Sequence, residues 1–199
     1  VKPRGAPAGI LLAAGYAQRF GADKLLVNLP NGRSIALTSA LSLLGGLASR
    51  RVVAVVRPEQ QALAVTLAAS GVEIAFCMDA AQGMARSLAA GVAYCGQRWP
   101  DACGWVVALA DMPFMQDGTV RAVAQALQRG AALSAPLYGG ERGHPVGIAA
   151  EFRDELLSQN GDAGARRLLA RENARLVTVA TDDPGILRDV DVPHDLALA

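Results

Sequence analysis

The chain has 199 residues, 52% hydrophobic and 19% charged, with 19 Lys+Arg against 18 Asp+Glu for a net charge of +1. That length suits one domain, or two small ones, able to bury about 70% of its unfolded surface without disulfide staples, and the apolar content excludes a disordered chain. Near-neutral charge supplies no global field for nucleic acid or an anionic membrane, so neither is an expected partner and any anionic ligand must be held by local charge.

In chain order, the basic opening Val1–Gly9 carries two prolines and no continuous apolar core. It does not read as a secretory signal, and the expected location is cytoplasmic. It runs into a first strand, Ile10–Ala13, followed by a helix over Ala36–Ala48 and a second strand over Arg51–Val56. A helix over Glu59–Ala69, with Pro58 in its first turn, precedes a strand over Val72–Cys77 and a helix over Met84–Tyr94. The strand Trp105–Ala110 leads to a helix over Gly118–Gln128, where Val120, Val123, Ala124 and Leu127 recur at helical spacing. Strands over Ala132–Pro136 and Pro145–Ile148, a helix over Ala163–Arg171 and a strand over Ala174–Val179 complete the pattern. The valine-rich runs at 52–56, 106–107 and 177–179 suit strands covered on both faces, as a parallel sheet requires. This alternation predicts an α/β fold: a three-layer, doubly wound, Rossmann-like sheet in one domain across residues 1–199. The glycine-rich stretch Leu137–Gly147 reads as a turn between two strands, so the sheet should be mixed. No apolar run approaches the roughly 20 residues of a membrane-spanning helix.

Chemistry concentrates at a few places. After the first strand, Ala13, Ala14 and Gly15 allow close backbone approach and a run of amides that can cradle an anion. Arg19 and Lys24 add two cations in the same loop. A triphosphate carries about four charges, and each opposite pair at about 4 Å is worth about 4 kcal/mol near a protein surface, so these two would dominate the local field. The loop is neither GxGxxG nor a Walker motif, and a solvated basic loop is the ordinary alternative. Asp111 follows the strand Trp105–Ala110, where α/β sheets bind ligands, and its hard oxygens suit Mg²⁺; capping the next turn is the alternative. A second acidic run, Asp189-Val190-Asp191-Val192-Pro193, has Asp191 as a further carboxylate or as the N-cap of a helix opened by Pro193. Gly83 to Ser87 opens a helix with amides suited to a phosphate or a base carbonyl, with Met84 and Leu88 as core. Gly143-His144-Pro145 and Gly161-Asp162-Ala163-Gly164-Ala165-Arg166 are the remaining patches, with a structural histidine and a capping aspartate as their simpler readings. Cys77, Cys95 and Cys103 form no CxxC and read as small core residues; His144 and His194, the two histidines, cannot assemble a zinc site.

Together these motifs resemble the molybdopterin nucleotidyltransferases. LAAG-x₃-RFG-x₂-K over Leu12–Lys24, Asp111-Met112-Pro113, GHP at Gly143–Pro145, GD-x-GAR at Gly161–Arg166 and DVD-x-P at Asp189–Pro193 stand in that family's order over nearly the whole chain. LAAG in place of LAGG makes it more similar to the molybdenum cofactor cytidylyltransferases than to the guanylyltransferases. Where the family usually has Asn-Pro shortly before the glycine-methionine pair, this chain has Cys77-Met78. The resemblance implies a nucleotidyltransferase fold and Mg²⁺-dependent transfer of CMP from CTP to the phosphate of molybdopterin, with release of pyrophosphate. It implies that the backbone of Leu12, Ala13, Ala14 and Gly15 holds base and ribose, with Arg19 and Lys24 on the triphosphate and Gly83 and Ser87 also at the nucleotide, that Arg19, Lys24 and Asp111 are catalytic, and that Asp111 and Asp191 hold Mg²⁺. Gly143, His144, Pro145, Asp162 and Arg166 would face the pterin, and a molybdenum hydroxylase or its chaperone would be a downstream partner. Transfer from GTP, a sugar-phosphate or methylerythritol-phosphate acceptor, and a non-catalytic cofactor carrier are the competing readings.

Overall fold

A computed structural model describes residues 5–16, 24–159, 161, 164–191 and 195. Its centre is a sheet of eight strands: β1 (Ala8–Leu12), β2 (Val52–Val56), β3 (Glu73–Phe76), β4 (Gly104–Leu109), β5 (Leu133–Tyr138), β6 (Glu141–Arg142), β7 (Val146–Ala149) and β8 (Leu176–Ala180). The order runs β3-β2-β1-β4-β7-β5, with β8 parallel along one side of β5 and the two-residue β6 antiparallel to its far end. β1, β2, β3 and β4 are mutually parallel, while β7 lies antiparallel to both β4 and β5. The mixed sheet anticipated from the glycine-rich stretch is therefore present. The reversal is local: Gly139 and Gly140, with φ of 57° and 88°, take the left-handed backbone that a tight hairpin between β5 and β6 demands.

Side chains alternate across each strand and feed two cores. Leu11, Val52, Ala54, Val56, Val106 and Ala108 face a layer made by α1 (Ile35–Gly46), α2 (Gln61–Ala68) and α4 (Asp117–Gln128), contributing Leu43, Leu67 and Val123 among others. Ile10, Val53, Val55, Trp105, Val107 and Ile148 face α3 (Met84–Arg98), α5 (Arg153–Ser158) and α6 (Arg166–Arg171), through Leu88, Val92, Leu156 and Leu168. Three layers result, and the continuous valine runs of β2 and β4 are buried on both faces as their composition requires.

Some expectations are corrected. Pro58 lies in a turn ahead of α2, which opens at Gln61. β8 is not covered on both faces: it is an edge strand whose one partner among the described residues is β5, and Val177 is 45% exposed. Within the stretch predicted as the helix Ala163–Arg171, the described helix begins at Arg166. α5 carries no sequence expectation; it is six residues long and buries only Leu156, with Phe152 one turn earlier in the preceding 3₁₀ turn, too few apolar positions to show a period. No described helix is long and apolar enough to cross a membrane.

Candidate active site

β1 and β4 are neighbours in the middle of the sheet, and both end on the same side. β1 leaves through the small residues Ala13, Ala14 and Gly15; β4 leaves through Ala110 into Asp111. A bond from the Ala110 amide to the Leu12 carbonyl, 3.0 Å, keeps the two exits side by side. The Asp111 exit is fixed from α1, where the buried Ser39 hydroxyl donates to the Ala110 carbonyl at 2.9 Å.

Lys24 is brought to this point by the residues after it. It opens a short 3₁₀ turn, Leu25 and Leu29 sink into the core, and Ser34 then caps α1 by accepting from the Leu37 amide. The ammonium lies 3.0 Å from the Asp111 carboxylate and 3.2 Å from that of Asp191. Its side chain is 9% exposed, against 28% for Asp111 and 53% for Asp191. Burial works to lower the Lys24 pKa, but Asp111, through charge and hydrogen bond, and Asp191 outweigh it, and the value lies above the ordinary one. Lys24 therefore stays charged throughout the neutral range.

Asp191 reaches Lys24 on a strap that crosses the end of the sheet. The Val190 amide donates to the Asp111 carbonyl at 2.9 Å, and the Ile186 carbonyl accepts from the His144 amide at 3.0 Å. One segment thus ties the second carboxylate, the first and the GHP loop together. Gly143 is required there by space: a Cβ would fall 2.1 Å from the Ile186 carbonyl oxygen. The His144–Pro145 peptide is cis.

On the α3 and α6 face of the sheet, reaching Leu12 and Leu109 at the ends of β1 and β4, lies a cavity of about 450 Å³. Leu12, Leu109, Leu88, Val107 and Leu169 give it apolar walls; Arg142, His144 and Arg166 supply its polar edge. Burial pushes the His144 imidazole below its usual pKa, against the Val107 carbonyl and the Asp111 carboxylate, which favour the charged form. Its Nδ1 is enclosed with no hydrogen-bond partner among the described residues.

The sequence-predicted residues separate into groups. Leu12, Ala13, Ala14, Gly15, Lys24, Asp111 and Asp191 converge at the ends of β1 and β4; Gly143, His144 and Arg166 meet at the cavity, with Pro145 buried next to His144. Gly83 and Ser87 stand in the first turn of α3, one helix face from that cavity, and Ser87 is buried. Not every amide of that turn is free as expected: Ala85 donates to the Gly161 carbonyl at 3.0 Å. Met84 is no core residue but 44% exposed at the cavity rim, whereas Leu88 is buried. Arg19, Asp162 and His194 lie outside the described residues.

Sequence reasoning missed Arg57 and Gln60. The Arg57 guanidinium donates to the Ala14 carbonyl at 2.9 Å and to that of Gly15, and the Gln60 side chain donates to Ala13 at 3.2 Å. The available signal was a cation directly after the buried run Val52–Val56, at the same end of the sheet as the first strand's exit.

Comparison with known proteins fixes the family. A model of the MobA-like NTP transferase domain matches residues 9–177. The chain belongs to this family. It is thereby a nucleotidyltransferase by domain, and the match spans both β1 and β4 exits. No curated protein matches the sequence. Among solved structures it is similar to Rv0371c from Mycobacterium tuberculosis H37Rv, at 22% identity and a TM-score of 0.83, covering 98% of this chain and 97% of that one. Rv0371c has also been solved in complex with manganese. A nucleotidyl transferase from Methanothermobacter, Mth528, is similar at 20% identity and TM-score 0.80, with 97% and 95% covered. The molybdopterin-guanine dinucleotide biosynthesis protein A of Archaeoglobus fulgidus follows at 19% and 0.65, with 96% and 95% covered. At these identities the likeness establishes the fold. The α/β nucleotidyltransferase fold expected from the motifs is the one observed.

Proposed function

We propose that this MobA-like NTP transferase transfers CMP from CTP to the phosphate of molybdopterin. An acceptor phosphate oxygen attacks the α-phosphorus, the bond to the β-phosphate oxygen breaks, and pyrophosphate leaves. The acceptor is already anionic, so no activated Ser, Cys or His is needed; the site must align two anions and absorb charge developing on the bridging oxygen. The observation that carries the reading is the buried Lys24 ammonium, held at 3.0 and 3.2 Å by two carboxylates beside the small-residue exit of β1.

In this reading the amides after Leu12 and the Lys24 charge hold the triphosphate, with Arg19 adding a second cation and Gly83 and Ser87 completing the nucleotide's surroundings. Asp111 and Asp191 fit a hard divalent cation: their oxygens already converge on one positive charge, and two carboxylates with water and phosphate oxygens are a usual Mg²⁺ set. No group of three His, Cys, Asp or Glu side chains is found among the described residues, so the remaining ligands would come from solvent and substrate. When bound, such an ion neutralises phosphoryl oxygens and orients the leaving group. The manganese complex of Rv0371c supports a divalent ion in relatives of this fold. The apolar cavity with Arg142, Gly143, His144 and Arg166 suits a flat heterocycle carrying a phosphate. The Archaeoglobus neighbour, named for molybdopterin-guanine dinucleotide biosynthesis, supports that acceptor class. Cytidine over guanosine rests on Ala14, where guanylyltransferases tend to carry glycine.

Pyrophosphate release with Mg²⁺, molybdopterin and either CTP or GTP tests the proposal. Release that needs molybdopterin and prefers CTP is expected. A clear GTP preference overturns the base assignment, release only with sugar-phosphate or methylerythritol-phosphate acceptors overturns molybdopterin, and no release with any pair leaves a cofactor carrier.

A further inference from the structure

Beyond the residues that face the ligands, the back of the β1 exit is organised. Every carbonyl from Leu12 to Gly15 has a partner: Leu12 accepts from the Ala110 amide, Ala13 from Gln60 Nε2, and Ala14 and Gly15 from the same Arg57 nitrogen, Nη1. In an extended strand successive carbonyls point to opposite sides. One nitrogen serving two successive carbonyls therefore means the backbone has curled. In a trans peptide the N–H points opposite to its own C=O. Gripping the Ala13, Ala14 and Gly15 carbonyls from behind thus turns the amides of Ala14, Gly15 and Tyr16 the other way. No described residue accepts from those three amides, and three successive N–H groups on one side form an anion-binding concavity.

The clamp is itself held. Gln60 is buried, and its Oε1 accepts from the Arg57 amide at 2.8 Å, so both ends of its amide are committed. The Arg57 side chain is 14% exposed, and its guanidinium pairs through Nε with Glu59 at 2.7 Å and stacks on the Tyr16 ring at 4.2 Å. A solvated surface arginine has none of these restraints.

We infer that Arg57 and Gln60 are positioning residues for nucleotide binding, fixing the Ala13–Gly15 exit so that its amides face the triphosphate. This rests on the nucleotide site proposed above. Neither side chain touches reacting atoms; both act through the backbone they grip.

The test compares wild type with Arg57→Met, Arg57→Lys and Gln60→Met in two measurements. One is hydrogen exchange of the peptide spanning residues 12–16 without nucleotide. The other is the KM-against-kcat split for CTP and GTP with Mg²⁺, alongside nucleotide affinity by calorimetry. Arg57→Met is expected to speed exchange in that peptide, raise the nucleotide KM at least tenfold and leave kcat within threefold. Gln60→Met should move the same quantities, and Arg57→Lys, which keeps the charge and one donor at a time, should show an intermediate KM with wild-type stability. Unchanged exchange and unchanged KM in Arg57→Met and Arg57→Lys overturn the inference, as does a loss of kcat at unaltered KM. If wild type binds neither CTP nor GTP, the nucleotide-site reading fails and takes the inference with it; if wild type binds and the variants bind equally, the inference alone fails.

Discussion

Gly15 is a glycine that the fold does not require. A Cβ placed there would meet nothing within 4 Å, and its φ lies outside the left-handed region. Gly15→Ala should therefore leave the melting temperature within about 2 °C of wild type, since surface changes with no packing cost stay near ±0.5 kcal/mol. It should weaken nucleotide binding severalfold, measured by calorimetry, because the added methyl stands where a ligand approaches the backbone. Lys24 is different in kind, being buried against two carboxylates. Lys24→Met should still fold, since both carboxylates retain access to water, but should lose about 10²–10³-fold in kcat, the usual cost of deleting one preorganised charge-stabilising donor. His144 carries a pH prediction. Its folded pKa is depressed, so between that value and about 6.5 the unfolded chain binds more protons than the folded one, and stability falls as pH falls through that window. Urea midpoints from pH 8 to pH 5 should drop in wild type and drop less in His144→Gln. The charged groups facing this ring, Asp111, Arg166 and Asp189, are common to both proteins.

At the scale of elements, the strap from Asp183 to Asp191 joins parts that the chain order separates. Asp183 is 1% exposed and accepts from the Gln116 amide at 2.8 Å, the Thr119 hydroxyl at 2.8 Å and the Gly185 amide at 2.9 Å. It ties the strap to the start of α4, whose dipole also favours a carboxylate there. Asp183→Ala strips the buried Gly185 amide and the Gln116 amide of their acceptor and leaves the Thr119 hydroxyl only that of Thr181, 3.1 Å away, a cost of about 2 kcal/mol, or roughly a 6 °C fall in melting temperature for a chain of this size. Thermal melts check this, and Asp183→Asn should recover part of the loss. The role of Asp183 was not legible in the sequence, because two of its three donors lie at the start of α4, more than 60 positions away in the chain. Asp111 was more legible: a carboxylate directly after a buried strand needs no tertiary knowledge to be placed at the sheet's carboxyl end. Arg57 and Gln60 were not legible, since both grip a backbone more than 40 positions away in the chain and nothing in their own neighbourhood marks it.

Across the whole molecule, the sheet was readable because its central strands are buried on both faces and so spell uninterrupted apolar runs. The edges were read less well. β8 has one neighbour among the described residues and an exposed Val177, β6 is two residues long, and α5 buries too little to show a period. The candidate site was visible as separate motifs, but their convergence belongs to the fold: adjacent exits of β1 and β4, crossed by one strap, put Lys24, Asp111 and Asp191 within 3.2 Å contacts and set the cavity at the ends of the same two strands. With almost no net charge, the molecule must hold a triphosphate by local charge. A crystal structure with CTP and Mg²⁺ examines it directly. The account predicts the triphosphate against the amides of Ala14 to Tyr16 and the Lys24 ammonium, with the metal between the phosphates and the Asp111 and Asp191 carboxylates. A nucleotide bound elsewhere, with Lys24 and both aspartates untouched, would contradict it.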